Sequence, residues 1–218
     1  MKGEKITVLV DNESWILPYA ERLVRTLKEM QYQAELARSA DAIECGWINF
    51  LLGCTQIITE EALSRNQHNL VVHESGLPKG RGFAPMTWQI LEGKDNIPIC
   101  LIEAATEVDA GDIWLQDIID LDGSELVDEW RPLQGEKTIE LCLRFVNEYK
   151  NMTKSKQSGL PSYYKRRRPA DTCLDLDKSL REQFNLLRIA DNIRYPAFFE
   201  IDGHRYIVNI SKDKKDAK

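Results

Sequence analysis

The chain has 218 residues, 43% of them hydrophobic and 29% charged, with a formal net charge of −6. This composition argues against whole-chain disorder, a disulfide-stapled miniprotein and general nucleic-acid binding, and no apolar run approaches the ~20 residues that cross a bilayer. The length predicts one domain with an appendage, divided here as residues 1–150 and 151–218.

In chain order, residues 6–10 (Ile-Thr-Val-Leu-Val) predict a buried strand and are too few for a signal-peptide core. Leu17, Ala20, Leu23, Val24, Leu27 and Met30 recur at helical spacing, which predicts an amphipathic helix over 16–30. Strands are predicted over 33–37, 47–52 and 70–72, with a helix capped by Thr59 between the last two. This alternation implies an α/β fold with a largely parallel, Rossmann-like sheet. From residue 97 the rhythm changes. Residues 97–103 and 113–120 predict two further strands, and 124–150 predict helices split at Pro132. Residues 151–168 are polar and basic and read as a loop. Asp177 is a candidate cap for a helix carrying Leu180, Phe184, Leu187 and Ile189. Residues 198–201 and 205–210 flank Asp202-Gly203-His204 and predict a hairpin, followed by a frayed tail over 211–218.

Common functions of parallel sheets lack their motifs here. There is no GxGxxG, no GxxxxGK[ST] and no GxSxG. Five scattered cysteines without a CxxC pair suggest neither a zinc site nor a disulfide framework, and predict reduced thiols in the cytoplasm. His68 and His204 read as surface residues, Trp88 and Phe83 as packing for the following helix, and Trp114 and Trp130 as core.

The informative segment runs from Val71 to Gln116. His73 is predicted at the carboxyl end of a parallel strand, where open α/β sheets place ligands. A loop with three glycines and a proline follows it, and Val108-Asp109-Ala110-Gly111-Asp112-Ile113 forms a second turn. A histidine and a carboxylate on neighbouring loops can act as a general-base pair, the carboxylate fixing the tautomer and supporting the imidazolium.

The pattern His-x-Ser-x-Leu-Pro-x-x-Arg-Gly-x-x-Pro, followed by Val-Asp-x-Gly-x-Ile, resembles the formyltransferases that use 10-formyltetrahydrofolate. The likeness covers residues 47–120. It implies a Rossmann-like catalytic core, an acceptor amine attacking the formyl carbon, and a catalytic set of asparagine, histidine and aspartate. By motif position His73 matches the histidine and Asp109 the aspartate. The family's asparagine stands two residues before the histidine, where this chain has Val71. Asn69, on the same strand face but ~7 Å further down, is one substitute; Asn49 or a loop amide is another. The resemblance further implies that Thr55, Gln56, Ile57 and Ile58 grip the pterin ring, with Val108 and Gly111 opposite. It puts Ser75, Lys79 and Arg81 beside the acceptor.

The C-terminal region adds Tyr163-Tyr164-Lys165-Arg166-Arg167-Arg168-Pro169 and Tyr195-Pro196-Ala197-Phe198-Phe199. These segments are similar to those of nucleotide-sugar N-formyltransferases, most of all the small enzymes acting on UDP-linked amino sugars near the pseudaminic acid pathway. The resemblance implies formylation of a UDP- or dTDP-linked amino sugar in surface glycan biosynthesis. Arg166 and Arg167 would hold the diphosphate and Tyr163 would stack on the base. The alternatives are a ribonucleotide or aminoacyl-carrier amine, or a non-catalytic folate or sugar-nucleotide binder. No metal, nucleic acid or membrane is expected, and a homodimer is compatible with a sequence that leaves the oligomeric state open.

Overall fold

Apolar β-branched runs and one strongly striped helix assemble around a six-stranded sheet in the computed structural model, which describes residues 3–213. The first strand, β1 (Lys5–Leu9), leads into α1 (Leu17–Glu29) and β2 (Gln33–Ala37). Next come β3 (Gly46–Leu51), α2 (Glu60–Leu63) and β4 (Asn66–His73). The middle of the chain contributes β5 (Arg81–Gly82), α3 (Pro85–Leu91), β6 (Asn96–Glu103), β7 (Ile113–Asp120) and α4 (Val127–Glu148). The last elements are β8 (Tyr163–Tyr164), α5 (Phe184–Arg188), β9 (Ala197–Ile201) and β10 (His204–Val208).

The sheet order is β2-β1-β3-β4-β6-β7. The first four strands are parallel, and β6 and β7 add two antiparallel partners at one side. One face is covered by α1 and α4, where Leu23 and Leu27 pack with Ile6, Phe50, Leu141 and Phe145. The expected Thr59 cap is present: its hydroxyl accepts from the Ala62 amide at 3.3 Å. Asp202 and Gly203 both take positive φ, the backbone that a tight β9–β10 turn requires. Among the described residues no helix is long and apolar enough to cross a membrane. Of the tail expected over 211–218, residues 214–218 lie outside the described residues.

Three expectations change. The break at Pro132 is absent, and α4 runs through it. Proline in a helix interior costs ~3 kcal/mol. Trp130 before it, and Ile139, Leu141, Phe145 and Val146 after it, are all buried, each worth roughly 1.5–3 kcal/mol, so packing wins. Conversely, the helix expected from Asp177 shrinks to Phe184–Arg188. The Gln183 side chain ties the preceding residues into turns, accepting from the Asp175 amide and donating to the Asp175 and Lys178 carbonyls. Leu180 is left 68% exposed, so its spacing with Phe184 forms no buried stripe. His68 is buried rather than on the surface. Its Nδ1 lies 3.2 Å from Glu103, and its ring meets Trp114, Phe145 and Tyr149 edge-on.

Candidate active site

The crossover to β2 runs to one side of β1 and the path through β3 and β4 to the other, so the strand order reverses beside the carboxyl end of β1. Such a switch point opens a crevice where neighbouring loops separate. A cavity of about 540 Å3 lies there. Its floor is Leu51, Leu52, Val71 and Ile102, and its polar groups include His73, Glu74 and Asp109. That size and that apolar wall with few polar groups suit a small-molecule site.

His73 ends β4 and is buried. Its Nε2 donates to the Gly80 carbonyl at 2.8 Å, so that nitrogen carries the hydrogen. Its Nδ1 therefore presents a lone pair towards Asp109 Oδ2, 3.6 Å away. A proton taken up at Nδ1 would sit between the ring and the carboxylate, which is the arrangement a general base needs. Asp109 adopts φ 54°, a left-handed conformation that aspartate tolerates. Its Oδ2 also accepts from the Gly82 amide at 2.9 Å. Gly111 underpins this turn, because a Cβ there would come within 1.7 Å of the Glu103 carbonyl oxygen. Gly82 is under the same constraint from the Tyr164 carbonyl, at 2.4 Å with φ 101°.

Two residues that sequence reasoning missed hold these loops. The Gln157 amide donates to the Asp109 and Gly111 carbonyls at 2.7 and 2.9 Å, and its oxygen accepts from Arg81. Asp11, at the end of the first strand's run, accepts from the Thr55 and Gln56 amides at 2.9 Å and from Asn12. Burial pushes the Asp11 carboxyl up, but these hydrogen bonds prevail and leave it below its ordinary value. The signal for Asp11 was its place directly after a strand; Gln157, in a polar loop, carried none.

A second cavity, of about 690 Å3, adjoins the first. Arg131, Arg166, Arg167 and Tyr195 line it, with Trp15 and Trp130. Arg167 Nε and Nη2, and Arg131 Nε, are buried donors with no partner in the protein. Arg131 is anchored by Asp191 at 2.7 Å, and Arg167 lies over the Tyr195 ring. Burial draws the Arg167 guanidinium below its usual pKa. Unpaired buried donors of this kind are costly unless a ligand satisfies them, and guanidinium forks suit phosphate or carboxylate.

The structure brings together His73, Asp109, Thr55, Gln56, Ile57, Ile58 and Val108 on the first cavity, and Arg166 and Arg167 on the second. It does not bring the others. Asn69 lines neither cavity: its amide donates to the Leu63 carbonyl at 2.8 Å and accepts from Asn49, which is fully buried. Val71, at the position of interest, is on the cavity wall. Gly111 packs behind the wall. Ser75 is buried and Lys79 is exposed, and neither lines a cavity. The Arg81 guanidinium is spent on Gln157 and on Glu107 at 2.7 Å, and the Tyr163 hydroxyl donates to the same Glu107 carboxylate. These two are struts between loops because β5 pairs with β8. Phe83, expected as packing for the following helix, lines both cavities. Among the described residues no cluster of three His, Cys, Asp or Glu could hold a metal ion.

With this geometry established, three comparisons locate the chain. A family model described as formyl transferase matches residues 10–131, more than half of the chain. The methionyl-tRNA formyltransferase of Sulfurihydrogenibium sp. strain YO3AOP1 is 25% identical over 145 residues, 65% of this chain and 47% of that protein. The chain matches between 30% and 47% of the length of such curated relatives. A solved sugar N-formyltransferase from Shewanella sp. FDAARGOS_354 shares the fold at TM-score 0.72 and 16% identity, covering 96% of this chain and 98% of that one. HypX from Aquifex aeolicus, solved in complex with tetrahydrofolic acid, does so at TM-score 0.77 and 17% identity, covering 93% of this chain and 36% of that one.

Proposed function

The chain belongs to the formyl transferase family, and from that premise we propose that it transfers a formyl group from 10-formyltetrahydrofolate to the amine of a nucleotide-linked amino sugar. The observation that carries the reading is the junction of the two cavities. A histidine–aspartate pair stands on the first, and Arg131 and Arg167, whose guanidinium groups each carry a buried donor without a partner in the protein, line the second.

A folate-type donor fits the residues of the first cavity. Its wall is apolar where a ring would lie, and residues 53–58 run along it as an exposed to half-buried loop. The Thr55 and Gln56 amides are committed to Asp11, so the other backbone groups and the side chains of this loop are what serve a pterin edge. When bound, the donor supplies an activated formyl carbon. The chain's own part is then positional and proton-handling. His73 Nδ1 takes a proton from the attacking nitrogen, and Asp109 stabilises the ring as it becomes positive. Val71 offers no donor to the developing oxyanion and the His73 Nε2 hydrogen is held by the Gly80 carbonyl, so that task falls to a backbone amide.

Support for a sugar nucleotide comes from the second cavity. A diphosphate would satisfy the Arg131 and Arg167 donors bidentately, and the Trp15 and Tyr195 rings can flank a base or sugar. In this reading residues 151–218 are the acceptor-side extension of a core spanning 1–150. All five cysteines are free, which favours a reducing compartment such as the cytoplasm. A second reading, an aminoacyl-tRNA or other carrier amine, has the curated relatives in its favour.

The deciding experiment supplies 10-formyltetrahydrofolate with 3-amino and 4-amino UDP- and dTDP-sugars, and separately with methionyl-tRNA, and follows formamide formation by mass. Modification of a sugar supports the proposal. Modification of the tRNA alone overturns the acceptor, and ligand-induced thermal protection without any formamide marks a binder.

A further inference from the structure

Seven residues line both cavities: Trp15, Thr55, Gln56, Phe83, Ala84, Gln134 and Glu74. Glu74 is the only one of them with an ionisable side chain. It immediately follows His73 at the end of β4, and its Oε1 accepts from the Gln134 side chain of α4 at 2.7 Å. Its carbonyl accepts from Gln89 of α3 at 2.6 Å, so both the backbone and the carboxylate are held. The arrangement places a single fixed carboxylate on the passage between the place proposed for the donor and that proposed for the acceptor.

An aliphatic amine resembles lysine, with a pKa of ~10.4, and so arrives as an ammonium near neutral pH. An ammonium has no lone pair with which to attack a carbonyl carbon. Two protons must therefore leave the nitrogen, one before attack and one afterwards, yet the His73–Asp109 pair accounts for only one.

We propose that Glu74 receives the acceptor's ammonium at the junction of the two cavities and removes the first of these protons. This rests on the formyl-transfer reading and deepens it. The R–NH3+ group passes a proton to the Glu74 carboxylate and becomes R–NH2. The nitrogen lone pair then forms the new C–N bond to the formyl carbon, and the carbonyl π electrons move to oxygen. His73 takes the second proton from that nitrogen. As the carbonyl re-forms, the bond to the donor's N10 breaks and N10 keeps the electron pair. One of the two protons goes to N10 and the other to water, so charge and atoms balance.

The surroundings suit the role. Burial pushes the Glu74 carboxyl up from its ordinary value, while nearby His73 and the Gln134 hydrogen bond oppose that and Asp109 adds to it. Across the second cavity Arg131 of α4 and Arg166 and Arg167 of the C-terminal loop present positive charge. A carboxylate raised towards neutrality is a better acceptor for an ammonium proton. The positive groups beyond it leave Glu74 as the feature that favours a cationic nitrogen at this junction.

The test compares wild type, Glu74→Gln and Glu74→Asp across pH 6–10 with the amino sugars of the preceding assay. Glutamine keeps the shape and the Gln134 contact but cannot take a proton. At pH 7 Glu74→Gln should lose at least ~100-fold in rate at saturating donor. The deficit should shrink about tenfold per pH unit as the free amine becomes populated, with the KM for 10-formyltetrahydrofolate and the thermal midpoint unchanged. Glu74→Asp should recover part of the rate and the wild-type pH profile. A Glu74→Gln variant as active as wild type, or one slowed equally at every pH, would overturn the inference. Failure of the underlying reading looks different, because wild type too would then leave every amino sugar unmodified, and that removes both.

Discussion

At the scale of single residues, the geometry separates groups that face the cavities from groups that hold them. His73 and Asp109 do the former. His73→Ala should lower turnover by two or more orders of magnitude while the thermal midpoint stays near wild type, and Asp109→Asn should be similarly severe. Near-normal rates in steady-state kinetics would remove both from the mechanism. Asn69 does the latter. Its amide spans from β4 to the end of α2, so Asn69→Ala should cost about 1–3 kcal/mol in denaturant unfolding yet leave kcat within a few-fold of wild type. A ~100-fold fall in kcat with the fold intact would show instead that this side chain reaches the formyl oxygen. Arg81 teaches the same distinction. A basic residue in the motif loop looks like a ligand for an anion, but the folded chain answers it internally with Glu107 and Gln157.

At the scale of elements, α4 is the instructive case. Local rules end a helix at Pro132, and those rules describe a helix whose faces are free. Here the residues on both sides of the proline are buried against the sheet, and the lost hydrogen bond is outweighed. Removing the proline should therefore stabilise: Pro132→Ala is expected to raise the unfolding free energy by about 1–3 kcal/mol, read by denaturant titration with unchanged secondary structure. A loss of stability would mean that the proline ring is itself a packing element. The opposite error occurred at residues 177–183, where apolar spacing suggested a helix. Gln183 offered the backbone an alternative set of side-chain hydrogen bonds, and no neighbouring surface was there to bury Leu180.

At the scale of the whole molecule, Arg188 is the most deeply buried of the charged residues that fasten the C-terminal region to the core. Arg188 is 1% exposed, bonds Asp95 at 3.0 Å and meets Glu125 at 3.4 Å, and its carbonyl accepts from the Trp130 indole. Breaking a buried pair strands its partners, so Arg188→Met should cost roughly 3–5 kcal/mol. Limited proteolysis should then cut within residues 151–196 before the core unfolds. Simultaneous loss of core and C-terminal region would show that the two are one cooperative unit. What the sequence by itself determined was whatever depends on periodicity and contiguous pattern: the order of the six strands of the main sheet with α1 and α2 between them, the sheet's mostly parallel character, and the two loop motifs with His73 and Asp109. Those signals are local, since the pleat and the helical turn are set by neighbouring residues. Only the tertiary structure decided that α4 continues through Pro132, that His68 is buried beside Glu103, and that Arg81 and Tyr163 are struts while Arg131, Arg167 and Glu74 face the cavities. Each of those outcomes depends on which distant group the chain brings within a few ångströms. Burial and charge pairing across 20 to 90 residues of sequence leave no mark in the local pattern.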